Sequence, residues 1–179
     1  MNGKVLVTYA TSRGSTLEVA EAVAETLAER ALDVDVRLAA GVKELDPYGA
    51  VVLGGALYMG RLHSDAVEFL HRYRHDLASL PVAVFAMGPR TLAPGDVADS
   101  RSQLDRALAM TPDVVPLSIA IFGGVVDPSK LKFPLNRMHA SDARDWEAIR
   151  SWANEVASEL GRVETAISAA SADRLTRRI

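Results

Sequence analysis

Apolar runs alternate along this chain with longer segments in which apolar residues recur every three or four positions. A short apolar run predicts a β-strand, and the recurring positions predict a helix that packs along one face. Alternating strands and helices favour an open, parallel α/β sheet. The strands are predicted at about 3–9, 33–39, 50–55, 81–86 and 117–122, and the helices at about 17–31, 64–78, 96–110 and 143–160.

Two kinds of strand are distinguishable by pattern. Residues 33–37 alternate between charged and apolar, which predicts an edge strand with one solvated face, whereas residues 50–55 are continuously apolar or Gly, which predicts a central strand. Ligands of open parallel sheets bind beyond the carboxyl ends of the strands. The loops at 10–16, 55–62 and 87–95 are therefore the predicted binding site.

The first of these loops is rich in hydroxyl groups. Thr11, Ser12, Ser15 and Thr16 surround Gly14, between a buried strand and the start of a helix. Backbone N–H groups and the helix dipole make such a turn suitable for a phosphate. The alternative is an ordinary strand–helix turn with capping residues, since Ser and Thr are favoured at helix starts. The loop matches neither the Walker A nor the Gly-x-Gly-x-x-Gly pattern.

Composition narrows the class of protein. A length of 179 residues fits one domain, and a net charge of −3 gives no reason to expect nucleic acid as a partner. Cysteine is absent, which excludes disulfides, thiolate catalysis and Cys-ligated zinc. No signal-peptide pattern or bilayer-spanning apolar run is evident, so a cytoplasmic location is expected.

The last predicted helix sets the limit of the domain. Ser141 or Asp142 suits its N-terminal cap, and Gly161 suits its C-terminal cap. The predicted domain therefore covers residues 1–161. Residues 162–179 are predicted to form a weakly helical or disordered tail.

Two segments resemble a known family. The segment 9–16, Tyr-Ala-Thr-Ser-Arg-Gly-Ser-Thr, is similar to the FMN-phosphate loop of flavodoxins. The segment 52–63 resembles the flavin loop of flavodoxin-like, menaquinone-dependent protoporphyrinogen oxidases, as do the residues at 122–124 and 145–147. The resemblance implies a flavodoxin-like open parallel five-stranded sheet, with strand order 2-1-3-4-5, helices on both faces and noncovalently bound FMN.

The resemblance also assigns residues to three parts of an FMN site. Tyr58 or Met59 would lie nearest the flavin ring. Arg13 stands where the family pattern has a hydroxyl residue, and it would be either an ion-pair partner of the phosphate or a residue turned to solvent. The phosphate would be held by Thr11, Ser12, Arg13, Gly14, Ser15 and Thr16; one side of the ring by Ala56, Leu57, Tyr58, Met59 and Gly60; and the other side or the pyrimidine edge by Met87, Gly88, Pro89 and Arg90.

The activity implied by the resemblance is that of an FMN-dependent oxidoreductase, which passes electrons from an organic donor through FMN to a quinone-like acceptor. The flavin is then the reactive group, and His63 is a candidate for substrate contact or proton donation, or otherwise a helix-start residue. No metal is expected, because His71 and His75 lack a third ligand. The predicted partners are a small-molecule donor and a quinone, with peripheral contact at most to the inner face of a membrane; a homodimer is compatible.

One segment departs from the family. The oxidases that this chain resembles carry a long, basic, aromatic insert after the fifth strand, whereas residues 125–140 are short and retain Phe133 and the cations Lys130, Lys132 and Arg137. These cations either attract an acidic substrate, such as a porphyrin with propionates, or belong to a solvated loop. The substrate is therefore left open.

Two alternatives to an oxidase are considered. The first is a flavodoxin-type electron carrier; carriers that resemble this family are usually strongly acidic, and a net charge of −3 argues against that role. The second is a flavodoxin-like interaction module without FMN, against which the hydroxyl-rich loop argues.

Overall fold

Parallel strands form the central sheet of the computed structural model, which describes residues 3–130, 133, 137 and 139–176. The strands are β1 (Lys4–Ala10), β2 (Val34–Leu38), β3 (Tyr48–Tyr58), β4 (Arg61–Leu62), β5 (Val82–Met87), β6 (Ser118–Phe122), β7 (Val125–Val126) and β8 (Ser141–Asp142). The strand β4 pairs with the end of β3 in this sheet, and β7 and β8 form a separate two-stranded antiparallel sheet. The helices are α1 (Ser15–Glu29), α2 (Ser64–Arg72), α3 (Arg74–Leu77), α4 (Pro94–Leu108) and α5 (Trp146–Thr176), with 3₁₀ turns at Ala39–Gly41 and Pro128–Lys130.

The order of the parallel strands is β2-β1-β3-β5-β6. The two-residue strand β4 pairs antiparallel with the end of β3 and lies outside this sequence of neighbours. When β4 is set aside, the order is 2-1-3-4-5, so the predicted fold class and strand order are confirmed. The reversal of order lies beside β1 and β3, where the first two predicted loops meet.

Helices cover both faces of the sheet. On one face Leu53 packs with Phe69 of α2 and Leu104 of α4. On the other face Val7 packs with Val23 of α1 and with α5. The strands buried on both faces are those with continuous apolar runs, as expected for the centre of a parallel sheet.

An aromatic cluster fills the second core beside Gly54. Phe85 is fully buried and contacts the rings of Phe122 and Trp152, at centroid distances of 5.7 and 5.8 Å. A Cβ atom on Gly54 would lie 2.2 Å from the Phe85 ring. Close approach of β3 to this ring therefore requires glycine.

The Gly54→Ala variant is expected to lower the free energy of unfolding by about 1–3 kcal/mol, because the buried Phe85 ring has no open space to enter. Gly41→Ala is the matched control, since its Cβ meets no atom within 4 Å. Urea denaturation of the two variants measures the difference. Equal midpoints would show that the core near Phe85 yields easily.

The helix predicted at 64–78 is interrupted at Tyr73. This residue separates α2 from α3 with φ −104° and ψ 18°, and its hydroxyl donates to the carbonyl of Val42 at 2.8 Å. The helix therefore breaks where the Tyr73 side chain is hydrogen-bonded to the segment that follows the 3₁₀ turn Ala39–Gly41. Periodicity alone does not report such a break.

Both predicted caps of the last helix are wrong. Ser141 and Asp142 form β8, and Asp145 caps the helix instead, with Oδ1 accepting from the N–H groups of Glu147 and Ala148 at 3.1 and 3.0 Å. Gly161 does not end α5, which continues to Thr176. One glycine in a helix costs only about 1 kcal/mol, which neighbouring helix formers offset. The division into a domain and a tail stays a prediction, and residues 177–179 lie outside the described part.

Neither a membrane span nor a metal cluster is found within the described residues. No described helix is both long and apolar enough to cross a membrane. No group of three or more His, Cys, Asp or Glu side chains in the described ranges is arranged to hold a metal ion.

Candidate flavin site

A cavity of about 310 Å³ opens where the loops after β1, β3, β5 and β6 meet. Its volume is at the lower end of the range for small-molecule sites. All three loops predicted from the sequence contribute to it. The lining residues are Thr11, Ser12, Arg13, Ser15, Ala56, Leu57, Tyr58, Met59, His63, Met87, Gly88, Arg90, Gly124, Val125 and Val126.

The first loop leaves hydrogen-bond donors available at the start of α1. Gly14 occupies the N-cap position with φ 94°, and no side chain caps the helix. Thr11 Oγ1 accepts from the N–H groups of Arg13 and Gly14, at 3.3 and 3.1 Å, so its own hydrogen can point elsewhere. The N–H groups of Ser15 and Thr16 have no acceptor within the described residues. This donor set fits an anion such as a phosphate.

Thr16 is the exception within this loop. The side chain is fully buried and does not line the cavity. Its Oγ1 has no hydrogen-bond partner in the part of the chain that is described. A buried hydroxyl without a partner is costly, and a phosphate oxygen brought close by a small shift of the loop would relieve that cost. Contact between Thr16 and phosphate stays a prediction.

The second loop is a tight β-hairpin. Tyr58 and Arg61 pair across a two-residue turn in which Met59 has φ 48° and Gly60 has φ 80°. Positive φ at both central positions is characteristic of a type I′ turn. The turn leaves Met59 89% exposed and Tyr58 42% exposed. An aromatic ring and a thioether are thus presented at the mouth of the cavity, as predicted for this loop.

Arg13 connects the first two loops. Its guanidinium carbon lies 4.5 Å from the centroid of the Tyr58 ring, and Nη2 donates to the Tyr58 hydroxyl. A guanidinium over a tyrosine ring is a favourable cation–π arrangement. Arg13 therefore packs on the Tyr58 ring at the mouth of the cavity, and its pairing with a phosphate stays a prediction.

His63 links the hairpin to the hydroxyl-rich loop. Its Nδ1 accepts from the N–H of Asp65 at 3.2 Å and so caps α2. Nδ1 is then the unprotonated nitrogen, and Nε2–H donates to Ser12 Oγ at 2.9 Å. The Ser12 hydroxyl keeps its own hydrogen for an acceptor in the cavity. Both ring nitrogens are hydrogen-bonded inside the protein, so the geometry gives His63 a positioning role, and proton donation by His63 stays a prediction.

Two substitutions of His63 distinguish its hydrogen bond to Ser12 from its capping bond to Asp65. His63→Asn keeps a capping oxygen at the start of α2 but is too short to reach Ser12, so the Kd for FMN is expected to rise about two- to tenfold with little loss of stability. His63→Ala is expected to lose stability as well. FMN fluorescence quenching and urea denaturation measure the two effects. An unchanged FMN affinity in both variants would exclude the positioning role.

The loops after β5 and β6 are joined by backbone hydrogen bonds. The N–H of Gly88 donates to the carbonyl of Phe122 at 3.0 Å, and the N–H of Gly124 donates to the carbonyl of Pro89 at 2.7 Å. These bonds bring Gly124, Val125 and Val126 to the cavity, three lining residues that were not predicted from the sequence. The Gly-Gly pair at the end of β6 is the sequence signal that points to this loop.

Four assigned residues do not line the cavity. Gly14 and Gly60 supply positive φ angles, Pro89 supplies a carbonyl, and Thr16 is buried. In the segment 125–140, which departs from the family pattern, the Arg137 guanidinium lies 5.1 Å from the centroid of the Phe133 ring. Lys132 lies outside the described residues.

Arg144, which is of intermediate burial, holds the β6–β8 side of the site in place. Arg144 is only 10% exposed; it donates to both carboxylate oxygens of Asp142, at 2.9 and 2.6 Å, and to Glu18 at 2.5 Å. Hydrogen bonds from Arg144 hold the pKa of Asp142 below its usual value. Glu18 belongs to the first turn of α1, and the N–H of Ala143 donates to Gly124. Arg144 thus ties the β6–β8 region to the helix that begins at the hydroxyl-rich loop.

The sequence matches the Flavodoxin domain family over residues 6–138. The chain belongs to this family. FMN is the cofactor expected of a flavodoxin domain, and the unsatisfied donors of the first loop and the cavity beside the hairpin fit its phosphate and ring. The cofactor and family predicted from the sequence are confirmed.

Relatives and solved structures agree with this assignment. The protoporphyrinogen IX dehydrogenase [quinone] of Escherichia coli K12 is 24% identical over 176 residues, which cover 86% of this chain and 94% of that protein. Oxidised flavodoxin 2 from Bacillus cereus superposes with a TM-score of 0.56 at 22% identity, covering 88% of this flavodoxin-domain chain and 99% of that one. A point mutant of flavodoxin from Pseudomonas aeruginosa superposes with a TM-score of 0.58 at 20% identity, and the shares of the two chains that are covered are again 88% and 99%. These structural likenesses show the fold alone.

Proposed function

We propose that this flavodoxin-domain protein is an FMN-dependent oxidoreductase, which takes electrons from an organic donor and passes them to a quinone. The charge of the cavity carries this proposal. Within the described residues no Asp or Glu lines it, whereas Arg13 and Arg90 do. Positive charge near a flavin favours its anionic, fully reduced form, and thus two-electron chemistry with small molecules.

The residues of the site would divide the work of holding the cofactor. Thr11, Ser12 and Ser15, with the N–H groups at the start of α1, would bind the phosphate. Tyr58 and the 87–90 loop would enclose the ring. FMN, when bound, supplies the acceptance and release of two electrons. The chain itself positions the ring, shields it from water and sets its charge environment.

The donor is proposed by similarity. The Escherichia coli relative is named for protoporphyrinogen IX and quinone, and the match extends over nearly its whole length. We therefore propose protoporphyrinogen as donor and a quinone as acceptor, with a cytoplasmic location and peripheral membrane contact at most. The short segment at 125–140 makes the donor the first point to test.

Anaerobic spectroscopy tests the proposal. FMN-loaded protein is expected to be bleached by protoporphyrinogen IX in one two-electron step and to recover its absorbance when a soluble menaquinone analogue is added. Dithionite serves as the positive control for reduction. If dithionite bleaches the flavin and protoporphyrinogen does not, the proposed donor is wrong.

A flavodoxin-type electron carrier is the second candidate. It is favoured by the match to whole flavodoxins, since 99% of each compared flavodoxin chain is covered. Stepwise titration distinguishes the two functions. Reduction in two well-separated one-electron steps is expected of a carrier, and a single two-electron step is expected of the oxidoreductase.

A further inference from the structure

A second cavity, of about 950 Å³, adjoins the flavin site at the β3–β4 hairpin. Ser12, Tyr58, Met59 and His63 line both cavities, so the two spaces share a wall. We call the second cavity the α2–α4 groove. Its remaining lining residues are Gly60, Arg61, Leu62, Ser64, Val67, Glu68, Gln103, Arg106, Ala107 and Met110.

The α2–α4 groove has two uncommitted positive charges. The side chains of Arg61 and Arg106 make no hydrogen bond or ion pair within the described residues. The groove's acidic residue, Glu68, is already paired with Arg72 on the same helix. A ligand in this groove therefore meets two free guanidinium groups, which bind carboxylates more strongly than they bind uncharged groups.

The rest of the α2–α4 groove is largely apolar. Met59 is 89% exposed and Met110 is 59% exposed, and Leu62 and Ala107 form part of the buried floor. Exposed methionines adapt to the shape of an apolar ligand. The volume suits a molecule larger than a single aromatic ring.

We propose that the α2–α4 groove binds a large, flat, apolar molecule that carries carboxylates, and that Arg61 and Arg106 recognise those carboxylates beside the flavin. The proposal rests on the proposed function, in that the occupant is the electron donor. An uncharged quinone offers no carboxylate to pair with the two arginines, so the groove favours the donor over the acceptor.

Equilibrium binding to the FMN-loaded protein tests this inference. The probes are protoporphyrin IX, which has two propionates, and its uncharged dimethyl ester. In the double variant Arg61→Gln/Arg106→Gln, the Kd for the diacid is expected to rise at least tenfold. The Kd for the diester and the Kd for FMN are expected to stay within twofold of wild type.

The matched control is Arg30→Gln/Arg162→Gln. It removes the same charge at a shallow hollow beside α5, away from both cavities. This control is expected to bind the diacid as wild type does. A similar loss in both double variants would mean that overall charge, not the groove, governs binding, and would overturn the proposal.

Other outcomes distinguish a failure of the groove proposal from a failure of the proposed function. Equal loss of diacid and diester in the groove variant, or no loss of either, would refute carboxylate recognition by these arginines. If the diacid binds in an arginine-dependent manner while protoporphyrinogen fails to reduce the flavin, the groove is supported and the proposed donor is wrong. If protoporphyrinogen reduces wild type and groove variant with the same concentration dependence, the groove proposal is wrong and the proposed function stands.

Discussion

Ser15→Asp is expected to abolish FMN binding at micromolar cofactor while leaving the apoprotein folded. Ser15 lines the flavin cavity and begins α1, where its N–H is free within the described residues. A carboxylate at this position would face the cofactor's phosphate. At about 4 Å and an effective dielectric constant near 20, each pair of unit charges repels by about 4 kcal/mol. The Kd is therefore expected to rise by about a thousandfold or more.

The same substitution suits the helix. A carboxylate in the first turn interacts favourably with the helix dipole, by about 0.3–1 kcal/mol. The urea midpoint of apo Ser15→Asp should therefore equal or exceed that of wild type. Loss of cofactor by general unfolding would lower that midpoint instead.

Ser15→Asn is the matched control, since it has the shape of Asp without the charge. We expect its Kd for FMN to rise no more than about tenfold, corresponding to the loss of one hydrogen bond. Fluorescence quenching of FMN and the absorbance of the purified proteins measure both variants. Strong FMN binding by Ser15→Asp would place the phosphate elsewhere and refute the assignment of the first loop.

The parallel sheet was predictable because its signal is local. Continuous apolar residues at 50–55 and the alternation at 33–37 identify a central and an edge strand without knowledge of their neighbours. Once the strands are parallel, their loops must meet at one edge, so the cavity lies where the sequence predicted it. The sequence signal of the hydroxyl-rich loop is equally local.

The hairpin turn lacked a local signal. Type I′ turns are usually marked by Asn-Gly or Asp-Gly, and here Met59 takes the first positive φ angle. The sequence therefore indicated only a loop at 55–62, whereas β3 continues to Tyr58 and reverses there. Pairing with β4 and packing of Leu62 above Gly55 accompany that turn.

Other features depend on contacts between distant segments. Gly124 reaches the cavity through its bond to Pro89, and Arg144 reaches Glu18 across 126 positions of sequence. The groove arginines, Arg61 and Arg106, likewise come from different elements. No periodicity or spacing encodes such juxtapositions, so they emerge only from the folded chain.

Arg144→Met is expected to lower the free energy of unfolding by about 2–3 kcal/mol and to weaken FMN binding severalfold. The Arg144 guanidinium donates to both Asp142 and Glu18, and its carbon lies 4.7 Å from the centroid of the Trp146 ring. Removing it leaves the Glu18 carboxylate without this donor and leaves Asp142 with only the backbone N–H of residue 144, at 3.1 Å. Both carboxylates are about half exposed, so water offsets part of the loss that a fully buried pair would suffer.

The loss should be accompanied by a change in pH dependence. Asp142 has a lowered pKa in the folded protein because Arg144 donates to its ionised form. Its contribution to stability is therefore fully present above the ordinary carboxyl pKa of 3.8 and is lost as pH falls below it. The difference in unfolding free energy between wild type and Arg144→Met should accordingly be constant near neutral pH and shrink below about pH 4.

Arg162→Gln provides the control for an ordinary surface pair. Arg162 is 70% exposed and bonds Glu159 on the same helix, so its removal is expected to cost less than about 0.5 kcal/mol. Urea denaturation at pH 7 and at pH 3, with FMN titration at pH 7, compares the three proteins. If Arg144→Met is as stable as Arg162→Gln, its hydrogen bonds do not fasten the β6–β8 region. If stability falls while FMN affinity is unchanged, Gly124–Val126 keep their place without Arg144, because the bond from Gly124 to Pro89 holds them at the cavity.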